Sequence, residues 1–219
     1  MNVSVVIVAA GKGKRLGGVD KAFIKIKGKP ILFYSVEKFL SVPEVSEIVV
    51  VVNSQNESKA RAFLKNSGIR FATGGETRAE SVRNGVNKTS GEFVMIHDAA
   101  RPFITKSLIL KLIEEIKFSD AVIPVLPVKP TIKEVENGFV KRTLPREKLF
   151  TVQTPQIFKK EKLLKAYKLV PLEGATDEAM LVERIGGTVK TVRGIEENIK
   201  ITTPFDLILL KSIMEKWKE

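Results

Sequence analysis

What most constrains the fold of this 219-residue chain is the character of its apolar runs. Val3-Ser4-Val5-Val6-Ile7-Val8, Ile48-Val49-Val50-Val51-Val52 and Phe93-Val94-Met95-Ile96 are apolar almost throughout and rich in β-branched residues, rather than alternating apolar with polar. A strand of that kind keeps no face for water, so it belongs in a largely parallel sheet covered by helices on both sides. Helix-period segments fill the intervals. The chain reads as strand 3–9, helix about 30–41, strand 47–52, helix 57–67, a short strand 69–72, helix 77–88, strand 93–97, helix 106–118 and strand 120–125. The expected fold class is α/β, a Rossmann-like three-layer α/β/α domain with a mostly parallel sheet, spanning 1–219 as a single domain. Ligands of such sheets lie outside the carboxyl ends of the strands.

After residue 125 the rhythm breaks. Thr131-Ile132-Lys133-Glu134-Val135 and Phe139-Val140-Lys141-Arg142-Thr143-Leu144 flank Glu136-Asn137-Gly138, and Asn-Gly between two β-favouring runs signals a hairpin. An insert of about 128–150 has too few residues for its own core, so a projecting β-hairpin arm that packs on a second subunit is expected. The chain then closes with helix 175–185, strand 188–192, the strand-like run Asn198-Ile199-Lys200-Ile201-Thr202 and a final helix from about 204, which Thr203 caps and Pro204 opens.

Ala9-Ala10-Gly11-Lys12-Gly13-Lys14-Arg15-Leu16-Gly17-Gly18, with Lys21 soon after, follows the first strand directly. Small residues at Ala9, Ala10, Gly11 and Gly13 let a backbone approach a ligand closely, and Arg15 and Lys21 add positive field. No Gly-Lys-Ser/Thr string follows at P-loop spacing, and Leu16 stands where a dinucleotide fingerprint needs its third glycine. The loop is therefore a third kind of anion cradle, suited to a mononucleotide.

Composition narrows the chemistry. There is no cysteine, which rules out thiolate metal sites and cysteine nucleophiles, and His97 is the one imidazole. No run reaches the roughly 18 apolar residues of a membrane span, so a cytoplasmic protein without a membrane partner is expected. The formal charge of +12 raises non-catalytic nucleic-acid binding as a reading from another class. Its basic residues are dispersed and only 7% of residues are aromatic, so no nucleic-acid partner is expected and the charge serves to steer polyanions.

Other clusters fall at the same sheet edge. Gly74-Gly75-Glu76-Thr77-Arg78-Ala79-Glu80-Ser81 offers exposed amides beside a hydroxyl that could read a base. In His97-Asp98-Ala99-Ala100-Arg101-Pro102, Asp98 ends a buried strand and is the candidate ligand for Mg2+, which takes one or two carboxylates and leaves the rest to waters and phosphates. His97 reads as a satisfied buried side chain. Thr131 and Arg146 on the arm, Thr154-Pro155-Gln156, Thr176-Asp177-Glu178 and Lys200 complete the set; arginine brings a bidentate grip on phosphate.

In order, Ala9-Ala10-Gly11-x-Gly13-x-Arg15-Leu16 with Lys21, Gly74-Gly75-x-x-Arg78-x-x-Ser81-Val82, Asp98-Ala99-Ala100-Arg101-Pro102, Thr154-Pro155-Gln156, Thr176-Asp177-Glu178 and Asn198-Ile199-Lys200 resemble the 2-C-methyl-D-erythritol 4-phosphate cytidylyltransferase family over nearly the whole chain. The resemblance implies CMP transfer from CTP to the polyol phosphate with release of pyrophosphate, in non-mevalonate isoprenoid precursor synthesis. It implies catalytic roles for Arg15 and Lys21 on the triphosphate and for Lys200 on the α-phosphate. Ala9, Ala10, Gly75, Glu76 and Ser81 would line the nucleotide pocket, and Arg101, Thr131, Arg146 and Thr176 would surround the acceptor. It also implies a homodimer joined through the arm. Asp20 stands where the family usually has proline, and Glu76 where it often has aspartate. Ribitol- or ribulose-5-phosphate cytidylyltransferases share the loop, the metal site and the chemistry, and one methyl-sized contact separates such acceptors by only about 1–3 kcal/mol.

Overall fold

Strand β1 (Val3–Ala9) runs through the middle of the molecule with no polar face, as its sequence requires. The structure, a computed structural model, describes residues 1–11, 20–64 and 68–217. A two-stranded ribbon of β2 (Lys25–Ile26) and β3 (Lys29–Pro30) leads into helix α1 (Ile31–Leu40), and β4 (Val45–Val52) follows. Helix α2 (Glu57–Phe63), β5 (Arg70–Thr73), α3 (Arg78–Val86), β6 (Phe93–Asp98), α4 (Lys106–Glu115) and β7 (Ala121–Pro127) continue the alternation. Then come the hairpin β8 (Ile132–Glu136) and β9 (Phe139–Leu144), the strands β10 (Phe150–Val152) and β11 (Gln156–Lys159), α5 (Lys160–Leu169), α6 (Glu178–Arg184), β12 (Val189–Arg193) and α7 (Pro204–Lys216).

Among the described residues, eight strands form one sheet in the order β10-β7-β11-β6-β1-β4-β5, with β12 on β7. β1 pairs in parallel with both β4 and β6, so Ala9 ends beside Val52 and Val8 beside Asp98. β10 and β11 are the reversed members; β11 lies antiparallel to both β6 and β7. That reversal brings the start of β11, around Thr154 and Gln156, to the edge where β1 and β6 finish.

Alternation along β1 divides the core. Val3, Val5, Ile7 and Ala9 point to the layer of α1 and α4, where Leu32, Val36, Phe39, Leu108 and Leu112 are buried. Val6 points to the other layer, with Val82 and Val86 of α3, Leu163 of α5 and Val182 of α6. Each such side chain contributes about 1.5–3 kcal/mol on burial. Helix α7 packs Leu210 and Met214 on Ile31, Phe103 and Ile201 in a third, smaller cluster. The structure is thus a three-layer Rossmann-like α/β fold.

The hairpin is a separate two-stranded sheet. Asn137 and Gly138 take φ of 51° and 84°, the left-handed pair that a two-residue turn between twisted strands needs. Its ladder carries ion pairs, Arg142 on Glu134 at 2.5 Å and Lys141 on Glu136 at 3.0 Å, while Val135, Phe139 and Val140 stand exposed.

Two local expectations change. The run Asn198–Thr202 is not a strand: Asn198 O accepts from Arg101 Nη1 at 2.7 Å and Ile201 N–H donates to Ala100 O at 2.9 Å, so its backbone groups are spent on loop contacts. Helix 175–185 begins only at Glu178, because Asp177 caps it by accepting from Met180 N–H at 3.0 Å.

Candidate active site

At the carboxyl edge of β1 and β6, a cavity of about 450 Å³ is lined by Val8 to Gly11, Asp20 to Ala22, Gly75 to Arg78, Ser81, Asp98 to Ala100 and Lys200. Its floor is built by close backbone approach. Gly74 N–H donates to Val52 O at 2.8 Å, and a Cβ at Gly74 would stand 2.4 Å from Cβ of Ala10, so a glycine lets the loop before α3 lie against the end of β1. Thr77 and Glu80 form a reciprocal cap on α3. The Ser81 hydroxyl accepts from Gly75 N–H at 3.0 Å and donates to Thr77 O at 2.9 Å, which ties the loop to the helix. On the opposite side, Asp20 caps the turn Lys21–Phe23 by accepting from Ala22 N–H and also accepts from Asn56 Nδ2. Burial raises the pKa of Asp20.

Beneath the cavity four charges alternate in sign. Lys200 Nζ lies 2.6 Å from Asp98 Oδ2; Arg78 Nε donates to Asp98 Oδ1 at 3.1 Å; and Arg78 Nη1 reaches both oxygens of Glu178, at 3.1 and 2.9 Å. Burial opposes ionisation of Asp98, but Arg78 and Lys200 override it and hold the carboxyl well below the usual carboxylate range. Burial likewise works to lower the pKa of Arg78, and Asp98 and Glu178 reverse it. Glu178 is only 1% exposed, and there burial outweighs Arg78 and raises its pKa. Asp98 is an oxygen donor outside any group of three metal-ligating side chains among the described residues. That donor set suits a hard cation whose remaining ligands are phosphates and water.

Behind Asp98 a second network fixes the strand ends. Asp98 N–H donates to Thr154 Oγ1 at 3.0 Å, and Thr154 Oγ1 meets Nδ1 of His97 at 3.1 Å, while Nε2 of His97 lies 3.0 Å from Arg101 O. Burial pushes the His97 pKa down to about 3, so the ring is neutral, donating from Nε2 and accepting at Nδ1. Gln153 and Asn198 hold the loop that carries Lys200: Gln153 Nε2 donates to Ile195 O at 2.8 Å, and Asn198 Nδ2 donates to Thr154 O at 2.9 Å.

The small residues Ala9 to Gly11, the strand-end carboxylate of Asp98 and a lysine from the far end of the chain thus face one cavity, and the family model for 2-C-methyl-D-erythritol 4-phosphate cytidylyltransferase matches residues 3–216. The chain belongs to that family. It is 43% identical over 228 residues to the 2-C-methyl-D-erythritol 4-phosphate cytidylyltransferase of Alkaliphilus metalliredigens, covering 99% of this chain and 95% of that one. With the protein of the same name from Dehalococcoides mccartyi it shares 40% over 220 residues, 98% and 96% of the two chains. Among solved structures it is similar to 4-diphosphocytidyl-2C-methyl-D-erythritol synthase from Anaerococcus prevotii, with a TM-score of 0.87 at 30% identity, covering 97% of this chain and 96% of that one. The cytidylyltransferase structure from Thermus thermophilus matches with a TM-score of 0.83 at 34% identity, covering 98% and 100%.

Of the residues that the sequence singles out as cytidylyltransferase site residues, Ala9, Ala10, Gly11, Lys21, Gly75, Glu76, Ser81, Asp98 and Lys200 line the one cavity. Gly13 and Arg15 lie outside the described residues. Arg101 stands beside the cavity rather than in its wall, with Nη1 on Asn198 O and Nη2 on Val152 O at 3.4 Å. Thr131 and Arg146 are exposed near the hairpin, where Arg146 Nη1 donates to Lys129 O at 2.8 Å, and Thr176 is exposed before α6; within this one chain they do not reach the cavity wall. Arg78 and Glu178 carry no role from sequence. Both stand in the strings that carry the family resemblance, Gly74-Gly75-x-x-Arg78-x-x-Ser81 and Thr176-Asp177-Glu178, and each directly follows a helix cap, Thr77 and Asp177.

Proposed function

We propose that this chain transfers the cytidylyl group of CTP to 2-C-methyl-D-erythritol 4-phosphate, releasing pyrophosphate, as a cytoplasmic homodimer with Mg2+. Residues 1–219 are read as one nucleotidyltransferase domain, with the insert at about 128–150 as its dimerisation arm. The observation that carries the reading is the single cavity joining Ala9 to Gly11, Gly75, Ser81, Asp98 and Lys200 in a chain that matches the family over 3–216.

In the reaction an oxygen of the acceptor's phosphate bonds to the α-phosphorus of CTP while the bond from that phosphorus to the bridging oxygen breaks, and pyrophosphate leaves with the electron pair. No protein nucleophile is needed. The task is to hold two polyanions together as charge grows on the α-phosphate and the leaving group. Lys200 lines the cavity and would neutralise the α-phosphate; Lys21, with Arg15 of the basic loop, would hold the β- and γ-phosphates. Ala9, Ala10, Gly11 and Gly75 leave room for the nucleotide against backbone, beside Glu76 and Ser81. Asp98 would hold the Mg2+, which when bound would neutralise triphosphate charge. Arg101, with Thr131, Arg146 and Thr176, would serve the acceptor. Support for the dimer comes from Val135, Phe139, Val140, Phe150 and Val152, exposed apolar side chains on and beside the hairpin. Among the described residues no helix is long and apolar enough to cross a membrane.

The test is pyrophosphate release from CTP and Mg2+ with 2-C-methyl-D-erythritol 4-phosphate or ribitol 5-phosphate supplied in parallel. Turnover with the first and little with the second is expected. Turnover with ribitol 5-phosphate alone would overturn the acceptor, and salt-sensitive polynucleotide binding without turnover would overturn the enzyme.

A further inference from the structure

Glu178 is a carboxylate with almost no access to water, and its oxygens are met by the guanidinium of Arg78. A buried ion pair of this kind is no stability gain over apolar packing of the same volume, because desolvation cancels the attraction. What it does provide is orientation. With Nη1 held on both oxygens of Glu178, the plane of the Arg78 guanidinium is set, and its Nε–H is aimed at Oδ1 of Asp98 at 3.1 Å. One oxygen of Asp98 is thereby committed. The other, Oδ2, is the one that Lys200 meets at 2.6 Å, and both Asp98 and Lys200 line the cavity. Lysine at position 78 could not do this, since a single point charge lacks the fork that spans two carboxylates.

We propose that Arg78 and Glu178 are positioning residues for the transfer reaction: Glu178 orients Arg78, and Arg78 holds the Asp98 carboxylate so that Oδ2 is the oxygen turned to the divalent cation and to Lys200. The two anchors start helices of opposite provenance, Arg78 at the head of α3 and Glu178 at the head of α6, a hundred residues apart in sequence. The carboxylate at the end of β6 is thus gripped from two helices at once. This inference rests on the cytidylyl-transfer reading both for its reaction and for the divalent cation at Asp98, and on the hydrogen-bond geometry for the orientation of the carboxylate.

The experiment uses the full chain, four single variants, Arg78→Met, Arg78→Lys, Glu178→Gln and Glu178→Asp, and the double variant Arg78→Met with Glu178→Gln. Mn2+ affinity of the protein is read by the loss of the free-ion electron paramagnetic resonance signal beyond that caused by CTP alone in a matched titration, alongside kcat, KM for CTP and the melting temperature. Charge alone makes opposite predictions for the pair: removing the cation at 78 should tighten Mn2+, and removing the anion at 178 should weaken it. Positioning predicts weakening in both, by about 10- to 100-fold, the usual cost of losing a partner that orients a metal ligand. It also predicts a kcat that falls further than KM rises, no rescue by Arg78→Lys, and a double variant Arg78→Met with Glu178→Gln no worse than Arg78→Met alone, since Glu178 acts through Arg78. Glu178→Asp keeps the charge but shortens the reach, so it carries the test if Glu178→Gln does not fold, and it too must bind Mn2+ more weakly. Unchanged or tighter Mn2+ binding in Arg78→Met, with only the melting temperature lowered, would overturn the inference. Mn2+ binding is read without turnover, so an unmodified protein that fails to transfer CMP would sink the functional reading and leave this one to be judged on affinity.

Discussion

Gly74→Ala is the substitution from which most can be learned about the cavity floor. The added Cβ would stand 2.4 Å from Cβ of Ala10 and 3.1 Å from Oγ of Ser81. Carbon atoms pack at about 3.5–4.0 Å, so the gap between the end of β1 and the loop before α3 must open by about 1 Å. Neither neighbour can swing aside. Ala10 has no rotamer to change, Ser81 is held by Gly75 N–H and Thr77 O, and Gly74 itself is hydrogen-bonded to Val52 O. Overpacking of this kind costs about 1–3 kcal/mol, which for a chain of this size lowers the melting temperature by roughly 2–12 °C. The same displacement separates Ala9 and Ala10 from Gly75, and a shift of about 1 Å in substrate-positioning groups can cost on the order of 100-fold in rate. Steady-state pyrophosphate release should therefore show kcat/KM for CTP down by that factor in protein that is still folded at the assay temperature. Gly91→Ala is the control: its Cβ would meet Ser4 Oγ at 2.5 Å at the opposite end of β1, so it should lower the melting temperature and leave KM for CTP unchanged. If Gly74→Ala turns over within about two-fold of the unmodified chain, the seating of these two loops as the nucleotide floor is wrong.

Lys200→Ala should reduce kcat by about 100- to 1000-fold, the scale for losing one group that stabilises developing charge, with a smaller loss in melting temperature because Arg78 still pairs with Asp98; a rate near that of the unmodified chain would remove Lys200 from the chemistry. Glu47 makes a pH-dependent prediction about stability at the other end of the sheet. Burial works to raise its pKa, but hydrogen bonds from Ser4, Ser90 and Arg70 override it and bring it down to about 2 from 4.5. A folded-state value below the unfolded one stabilises above pH 4.5 and loses that contribution as the pH falls toward about 2, so the melting-temperature gap between the unmodified chain and Glu47→Gln should be full at neutral pH and close over that window. A gap independent of pH would mean that the hydroxyls, not the charge, matter. If the proposed dimer forms through the hairpin, Phe139→Asp, which places a charge on a side chain 79% exposed in the single chain, should shift the protein to monomer in analytical ultracentrifugation; a dimer of undiminished affinity would move the interface away from the hairpin.

The central sheet was legible because its strands have a composition that only a doubly covered sheet satisfies, and Thr203 before Pro204 marks the start of the last helix directly. The hairpin was legible from Asn137-Gly138, whose positive φ angles few other dipeptides tolerate. β10 and β11 were not. At three and four residues each they carry no readable period, and their reversed pairing with β7 and β6 is a long-range fact. Ile199 and Ile201 mimic a strand in sequence, yet the run between them is held by Arg101 and Ala100 instead of a ladder. The candidate site followed the same division. Ala9, Gly75, Asp98 and Lys200 could be named because small residues, a strand-end carboxylate and a lysine have chemistry that shows at their own positions. Arg78 and Glu178 could be named as members of motif strings but given no role, since each is an ordinary charged residue in a first helical turn until the partner a hundred positions away is seen.

The loop that brings Lys200 to the cavity has a consequence for how the site breathes. β1 and β6 are knitted into the sheet on both sides, and their amides can exchange with solvent only through deep opening. The segment from Gly194 to Thr202 has no such ladder. It is fastened by side-chain clasps from Gln153, Asn198 and Arg101, by two backbone bonds at its ends, Gly194 N–H to Val125 O and Ile201 N–H to Ala100 O, and by the buried side chain of Ile201. Its amides should exchange orders of magnitude faster than those of β1, as a unit that can lift while the sheet stays closed. One wall of the cavity is thereby a latch and the other a frame.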